Sequence, residues 1–152
     1  MRGTPENEPL YWEDLAVGDQ FLTRSRIIAK QDLLDFAALS GDLNPIHVDE
    51  AEAHRIGLAG IVPQTNLVIA IASGLIYELG IFTGTGVAMN RLTWQVKSSL
   101  QLGDSISCRV TIRSKVAIDD EHGLIRRLVE VLKEDDEVVH VGTHEIVMRR
   151  RR

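Results

Sequence analysis

Cysteine is nearly missing from this chain: Cys108 is the only one in 152 residues. One cysteine excludes an intrachain disulfide. Its neighbours alternate apolar and polar, which marks it as a core residue rather than a nucleophile. No His or Cys cluster has the spacing of a zinc site. A basic excess is missing too, since the net charge is −5, and that excludes an electrostatic case for nucleic acid. There is no apolar signal region in Met1 to Pro9. The longest apolar run, Leu67 to Tyr77, is broken by Ser73 and Gly74 and is too short to span a bilayer. Internal repeats and low-complexity segments are absent. These absences leave a cytoplasmic globular protein as the expectation.

What is present suits one domain. Hydrophobic residues make up 44 % and charged residues 26 % of the chain, ordinary for a folded protein with a sizeable core. Residues 1–9 read as a flexible leader, 10–149 as the domain and 150–152 as a basic tail, solvated or in contact with a phosphate. Trp12 reads as an anchoring side chain. The alternation in Gln20 to Ile28 predicts a strand, and Lys30 to Leu39 a short helix that Gly41 ends. Glu50 to Arg55 predicts a second helix with His54 facing solvent. Gln64 to Leu79 predicts a long one, with Pro63 in its first turn. Its residues are apolar on nearly every side, the pattern of a helix wrapped by a sheet. Four more strands are expected over Val87–Ser98, Ser105–Val116, Leu124–Lys133 and Val138–Met148. That makes about five strands and one buried helix, an α+β arrangement. His140 and His144 lie four apart in a strand and read as ordinary strand histidines.

The chemistry concentrates between Phe36 and Leu79. Asp42 and His47 stand five positions apart, with Asn44-Pro45 between them. Proline fixes its own φ and pushes the preceding residue toward an extended conformation. A regular helix is thereby excluded, and both side chains project from a constrained turn. A carboxylate and an imidazole on one turn can share acid and base work on a single water. Asp and Asn also build turns for purely structural reasons, so residue types alone do not decide between the two.

The run Phe36-Ala-Ala-Leu-Ser-Gly-Asp-Leu-Asn-Pro-Ile-His-Val-Asp49 closely resembles the signature of the MaoC-like dehydratases, the (R)-specific enoyl-thioester hydratases. Tyr11 to Asp19 and Gly103-Asp104 resemble flanking motifs of that family. The resemblance implies a hotdog fold, an antiparallel sheet around one long central helix. It also implies reversible hydration of a trans-2-enoyl thioester of coenzyme A or acyl carrier protein, with no cofactor or metal. The family's catalytic Asp and His fall on Asp42 and His47, and its Asn-Pro on Asn44-Pro45. A homodimer or larger homo-oligomer with the channel at a subunit interface is implied as well.

One motif departs from the pattern. Where the family reads Ile-Ala-His-Gly-Met-Leu, this chain has Val62-Pro63-Gln64-Thr65-Asn66-Leu67. Ser99-Leu100, where the family often has Pro-Val, is a smaller change. The family's glycine N–H polarises the thioester carbonyl, so Gln64 and Thr65 are the expected substrate-binding positions together with Asn44. Thr65 keeps an N–H but adds a Cβ, and Gln64 offers a side-chain donor. The changed pair motivates an alternative, a non-catalytic acyl-thioester-binding subunit. A hotdog thioesterase ranks last, because Gln64-Thr65-Asn66 supplies no carboxylate.

Overall fold

The computed structural model describes residues 9–151. The expected leader therefore lies outside the described residues except for Pro9, as does Arg152. Three helices and six strands follow in order: β1 Gln20–Leu22, β2 Arg26–Ile27, α1 Lys30–Ser40, α2 Glu50–Arg55, α3 Thr65–Glu78, β3 Gly86–Val96, β4 Ser105–Ala117, β5 His122–Leu132 and β6 Val138–Arg149. The strands form one antiparallel sheet in the order β1-β4-β5-β6-β3, with β2 also on β4.

The expected single strand over residues 20–28 is two strands with a break. Leu22 pairs with Arg109, but Arg26 pairs with Ile106, so three residues on one side face two on the other. Thr23 makes the break possible. Its hydroxyl accepts the Cys108 N–H at 2.8 Å and donates to the Arg24 carbonyl, replacing a ladder partner. This is a β-bulge, and a two-residue period cannot announce it.

Each helix has a local cause. Asp32 accepts the Ala29 N–H at the start of α1, and Leu33 and Ala37, one turn apart, are its buried residues. Gly41 closes α1 at φ 77°, a left-handed conformation that glycine adopts without penalty, and its N–H donates to Ala37. Asp49 caps α2 by accepting the N–H groups of Ala51 and Glu52.

α3 lies against the sheet, but only one face is covered. Leu67, Val68, Ile71, Ala72, Leu75 and Ile76 are buried, whereas Asn66, Ala70, Ser73, Gly74 and Tyr77 are exposed. The expectation of burial on every side thus fails for a single chain. A sheet on one side can bury one stripe, and the other stripe is small or polar. Pro63 also stands outside the helix: Gln64, with ψ 135°, is the N-cap, so α3 begins one residue later. Across the sheet, Cys108, Val110, Ile112, Ile125, Val129, Val131, Ile146 and Met148 complete the apolar core.

One further difference comes from side chains pairing where a solvated tail was expected. Arg150 ion-pairs with Glu13 at 2.8 Å and Arg151 with Asp14 at 2.6 Å, so the basic end is tied down rather than solvated. Their guanidiniums also stack near the rings of Trp12 and Tyr11. Trp12 is an anchor as expected, its indole N–H donating to the Leu124 carbonyl. His140 and His144 do share a face, and both are buried beside Trp94. The Trp94 indole N–H donates to His140 Nδ1 at 3.0 Å, and Arg127 donates to His144 Nδ1 at 3.1 Å.

Candidate active site

Asp42 and His47 come together as their spacing implies. α1 ends at Gly41, so Asp42 emerges directly from the helix C-terminus; its own N–H donates to Ser40 Oγ. Pro45 then opens a single 3₁₀ turn, Pro45–His47, which returns the imidazole toward the carboxylate. The sequence excluded a regular helix here but did not resolve this short turn. Asn44 precedes it as N-cap, exposed and without a side-chain capping bond; its backbone N–H leans on Asp42 Oδ1.

The tautomer of His47 follows from its partner. Nδ1 lies 2.7 Å from the Val62 carbonyl, which can only accept, so Nδ1 carries the proton. Nε2 of the neutral ring is then a lone pair. It faces Asp42 Oδ2 at 4.0 Å. Two acceptors therefore look at each other across a gap too wide for a direct hydrogen bond and suited to one bridging water. His47 is 11 % exposed and Asp42 45 %, so the imidazole is fixed while the carboxylate meets solvent.

Val62 is the residue that sequence reasoning missed. Its carbonyl orients His47, and its N–H donates to the Ile46 carbonyl at 3.3 Å. Both contacts are backbone, so no side-chain pattern could mark them. They bring the chain just before α3 to the Asp42–His47 turn. Thr65 and Asn66 follow as the first two residues of α3, exposed, with N–H groups that a helix leaves without an internal partner. Gln64 is placed differently from Thr65. Its side chain is buried, and its amide donates to the Leu33 carbonyl at 3.3 Å.

Other reactive groups lie apart. Burial pushes the Cys108 thiol up to about 12, which removes it as a nucleophile at neutral pH. Among the described residues no group of three His, Cys, Asp or Glu side chains could hold a metal ion, and no helix is long and apolar enough to cross a membrane. A cleft of about 700 Å³ is lined by Tyr11, Glu121, His122 and Arg149 to Arg151, and neither Asp42 nor His47 lines it. The carboxylate and imidazole of the Asp42–His47 turn lie outside that cleft.

Comparison with known proteins agrees with the geometry. The model of the MaoC like domain matches residues 14–132. Protein MaoC of Klebsiella aerogenes is 31 % identical over 124 residues, 76 % of this chain but 36 % of that protein, so the chain spans about a third of that relative's length. The 3-hydroxybutyryl-CoA dehydratase of Methylorubrum extorquens is 30 % identical over 116 residues, 71 % of this chain and 67 % of that one. Among solved structures, the MaoC-like dehydratase from Rhodospirillum rubrum superposes with a TM-score of 0.85 at 23 % identity, covering 94 % and 99 % of the two chains, which shows the same hotdog fold. This chain, with its antiparallel sheet on one long helix and its Asp–His turn, belongs to the MaoC-like domain family.

Proposed function

We propose that this protein adds water reversibly to the double bond of an enoyl thioester carried by coenzyme A or acyl carrier protein, as a cytoplasmic enzyme without metal or cofactor. The observation that carries the proposal is the 4.0 Å gap between Asp42 Oδ2 and His47 Nε2, with the ring tautomer set by Val62. A water in that gap gives one hydrogen to each acceptor and turns its oxygen lone pair outward. In hydration its oxygen bonds to C3 of the substrate while Asp42 takes its proton. The π electrons of the double bond move toward the thioester oxygen and, as they return, C2 takes the proton that Asp42 accepted; the other water hydrogen, held by His47 Nε2, stays on the oxygen as the product's hydroxyl. Acid–base assistance of this kind contributes on the order of 10²–10⁴-fold. The developing negative charge on the thioester oxygen calls for a donor, and Thr65 N–H at the head of α3 supplies one. Asn44, exposed on the turn between Asp42 and His47, is assigned to substrate binding as well.

The reading includes a homodimer or larger homo-oligomer. Asp42 is 45 % exposed in one chain, and Leu39 and Leu43 beside it are exposed as well. An acyl chain bound there needs an apolar cover. β3 is an end strand with an open edge and exposed residues along nearly its whole length, and one stripe of α3 is bare. A second copy covers such surfaces most economically, since isologous dimers are the commonest assembly. The curated 3-hydroxybutyryl-CoA dehydratase relative supports the reaction class.

The experiment is crotonyl-CoA hydration followed by ultraviolet absorbance, comparing wild type with Asp42→Asn and His47→Ala. Each substitution is expected to lower the rate at least about 100-fold while the circular dichroism spectrum is kept. Near wild-type rates in both variants sink the assignment. The second reading, a thioester-binding subunit without turnover, is favoured by the Gln64-Thr65 departure. It wins if the wild type binds enoyl thioesters of several lengths and hydrates none.

A further inference from the structure

Gln64 combines three properties that seldom coincide. It is 1 % exposed. Its amide nitrogen donates to the Leu33 carbonyl of α1 at 3.3 Å, and its Oε1 is buried with no hydrogen-bond partner among the described residues. The amide orientation is forced, because a backbone carbonyl can only accept. The group left over is thus an acceptor. Leaving it unmet is a desolvation cost that an apolar residue of the same size would avoid.

What the amide joins is the informative part. From Leu33, α1 continues without interruption to Ser40, and its C-cap Gly41 hands the chain to Asp42. Gln64 is the N-cap of α3, two residues after Val62, whose carbonyl holds the His47 ring. One amide therefore connects the helix that delivers the carboxylate to the segment that aims the imidazole. The side chain does not cap its own helix, although N-cap side chains usually do. It reaches across to the neighbouring helix.

We infer that Gln64 is a positioning residue, a buried brace between α1 and the start of α3 that sets the gap between Asp42 and His47. The inference rests on the proposed hydratase reading for its consequence, but not for its geometry. It also reassigns Gln64: a side chain this buried, with its donor already used, supports the site from behind rather than touching the thioester.

The test uses Gln64→Leu, which keeps the volume and removes the amide, and Gln64→His, which restores a ring donor. In Gln64→Leu we expect kcat on crotonyl-CoA to fall about 10- to 100-fold with KM within about threefold, because small misplacement of catalytic groups acts on turnover. The melting temperature is expected to stay or rise, since an unmet buried acceptor is gone. Gln64→His should recover part of kcat. The imidazole nitrogen and proton resonances of His47 should move in Gln64→Leu, whether or not the protein turns over crotonyl-CoA. Unchanged kcat with unchanged His47 resonances overturns the brace. A raised KM with full kcat also overturns it, by showing direct substrate contact. A parallel loss of kcat and stability in both variants does so by showing a purely structural role. If wild type lacks hydratase activity the functional reading fails, and the His47 resonances alone decide the brace.

Discussion

At the scale of single residues, the site depends on who donates and who accepts. Val62 can only accept, so it sets His47; Asp42 can only accept while ionised, so the space between them suits a donor such as water. Thr65 is the residue where this account departs furthest from the resemblance and is the easiest to probe. It stands at the first position of α3 after an extended Gln64 with ψ 135°. Proline is tolerated at that position, and its effect on the preceding residue is already met. Thr65→Pro should therefore fold and lose only the N–H, lowering kcat by the factor for one oxyanion donor, about 10²–10³. Thr65→Gly should keep or raise the rate. Steady-state kinetics with circular dichroism as a folding control checks both, and a folded, fully active Thr65→Pro places the oxyanion donor elsewhere. The residues with side-chain chemistry, Asp42 and His47, were legible in the sequence. Val62 was not, because a carbonyl has no sequence signature, and the inward turn of Gln64 was not, because every glutamine offers both a donor and an acceptor.

At the scale of elements, the junction of β3 and β6 is the most exacting part of the fold. Trp94 lies between His140, edge-on at 5.9 Å, and His144, stacked at 6.0 Å. It also covers Gly142, where an added Cβ would enter the indole ring and sit 3.1 Å from the Thr93 carbonyl. Gly142→Ala should lower stability by about 1–3 kcal/mol, read as a shifted urea midpoint with unchanged slope. The histidines add a pH dependence. Indole and guanidinium groups only donate, so both rings must be neutral to accept from Trp94 and Arg127. Burial lowers both histidines, and Arg127 beside it helps bring His144 from its ordinary 6.5 to about 4. A histidine depressed in the native state contributes stability that is complete above the unfolded value, near 6.5. That contribution is lost as pH falls toward about 4. At about 1.4 kcal/mol per pH unit, His144 alone accounts for roughly 3 kcal/mol over that window. Urea titrations at pH 7 and pH 4.5 should show this fall in the wild type and a smaller one in His144→Leu; equal slopes against pH in both refute it. The two strands of this junction were expected from the sequence, over Val87–Ser98 and Val138–Met148. The polar cluster inside was not, because period two assigns residues to a face without saying which faces meet.

At the scale of the whole molecule, the sheet and helix followed from periodicity, while the missing cover on α3 did not. Apolar residues around a helix imply burial without naming the chain that provides it. The open edge of β3 and the bare stripe of α3 are the surfaces that the proposed dimer would cover. Light scattering at micromolar concentration should give at least twice the 16.9 kDa chain mass. Leu92→Lys, on the exposed length of β3, should shift it toward the monomer; a wild-type monomer contradicts the assembly. The central claim joins all three scales, since the residues act only where the elements hold a thioester. A crystal structure of Asp42→Asn with a bound crotonyl thioester tests it most directly. The account predicts the carbonyl oxygen about 2.7–3.2 Å from Thr65 N and C3 beside the gap between residues 42 and 47. A thioester seated elsewhere, such as the cleft lined by Tyr11 and Arg149, with the gap untouched, would contradict it.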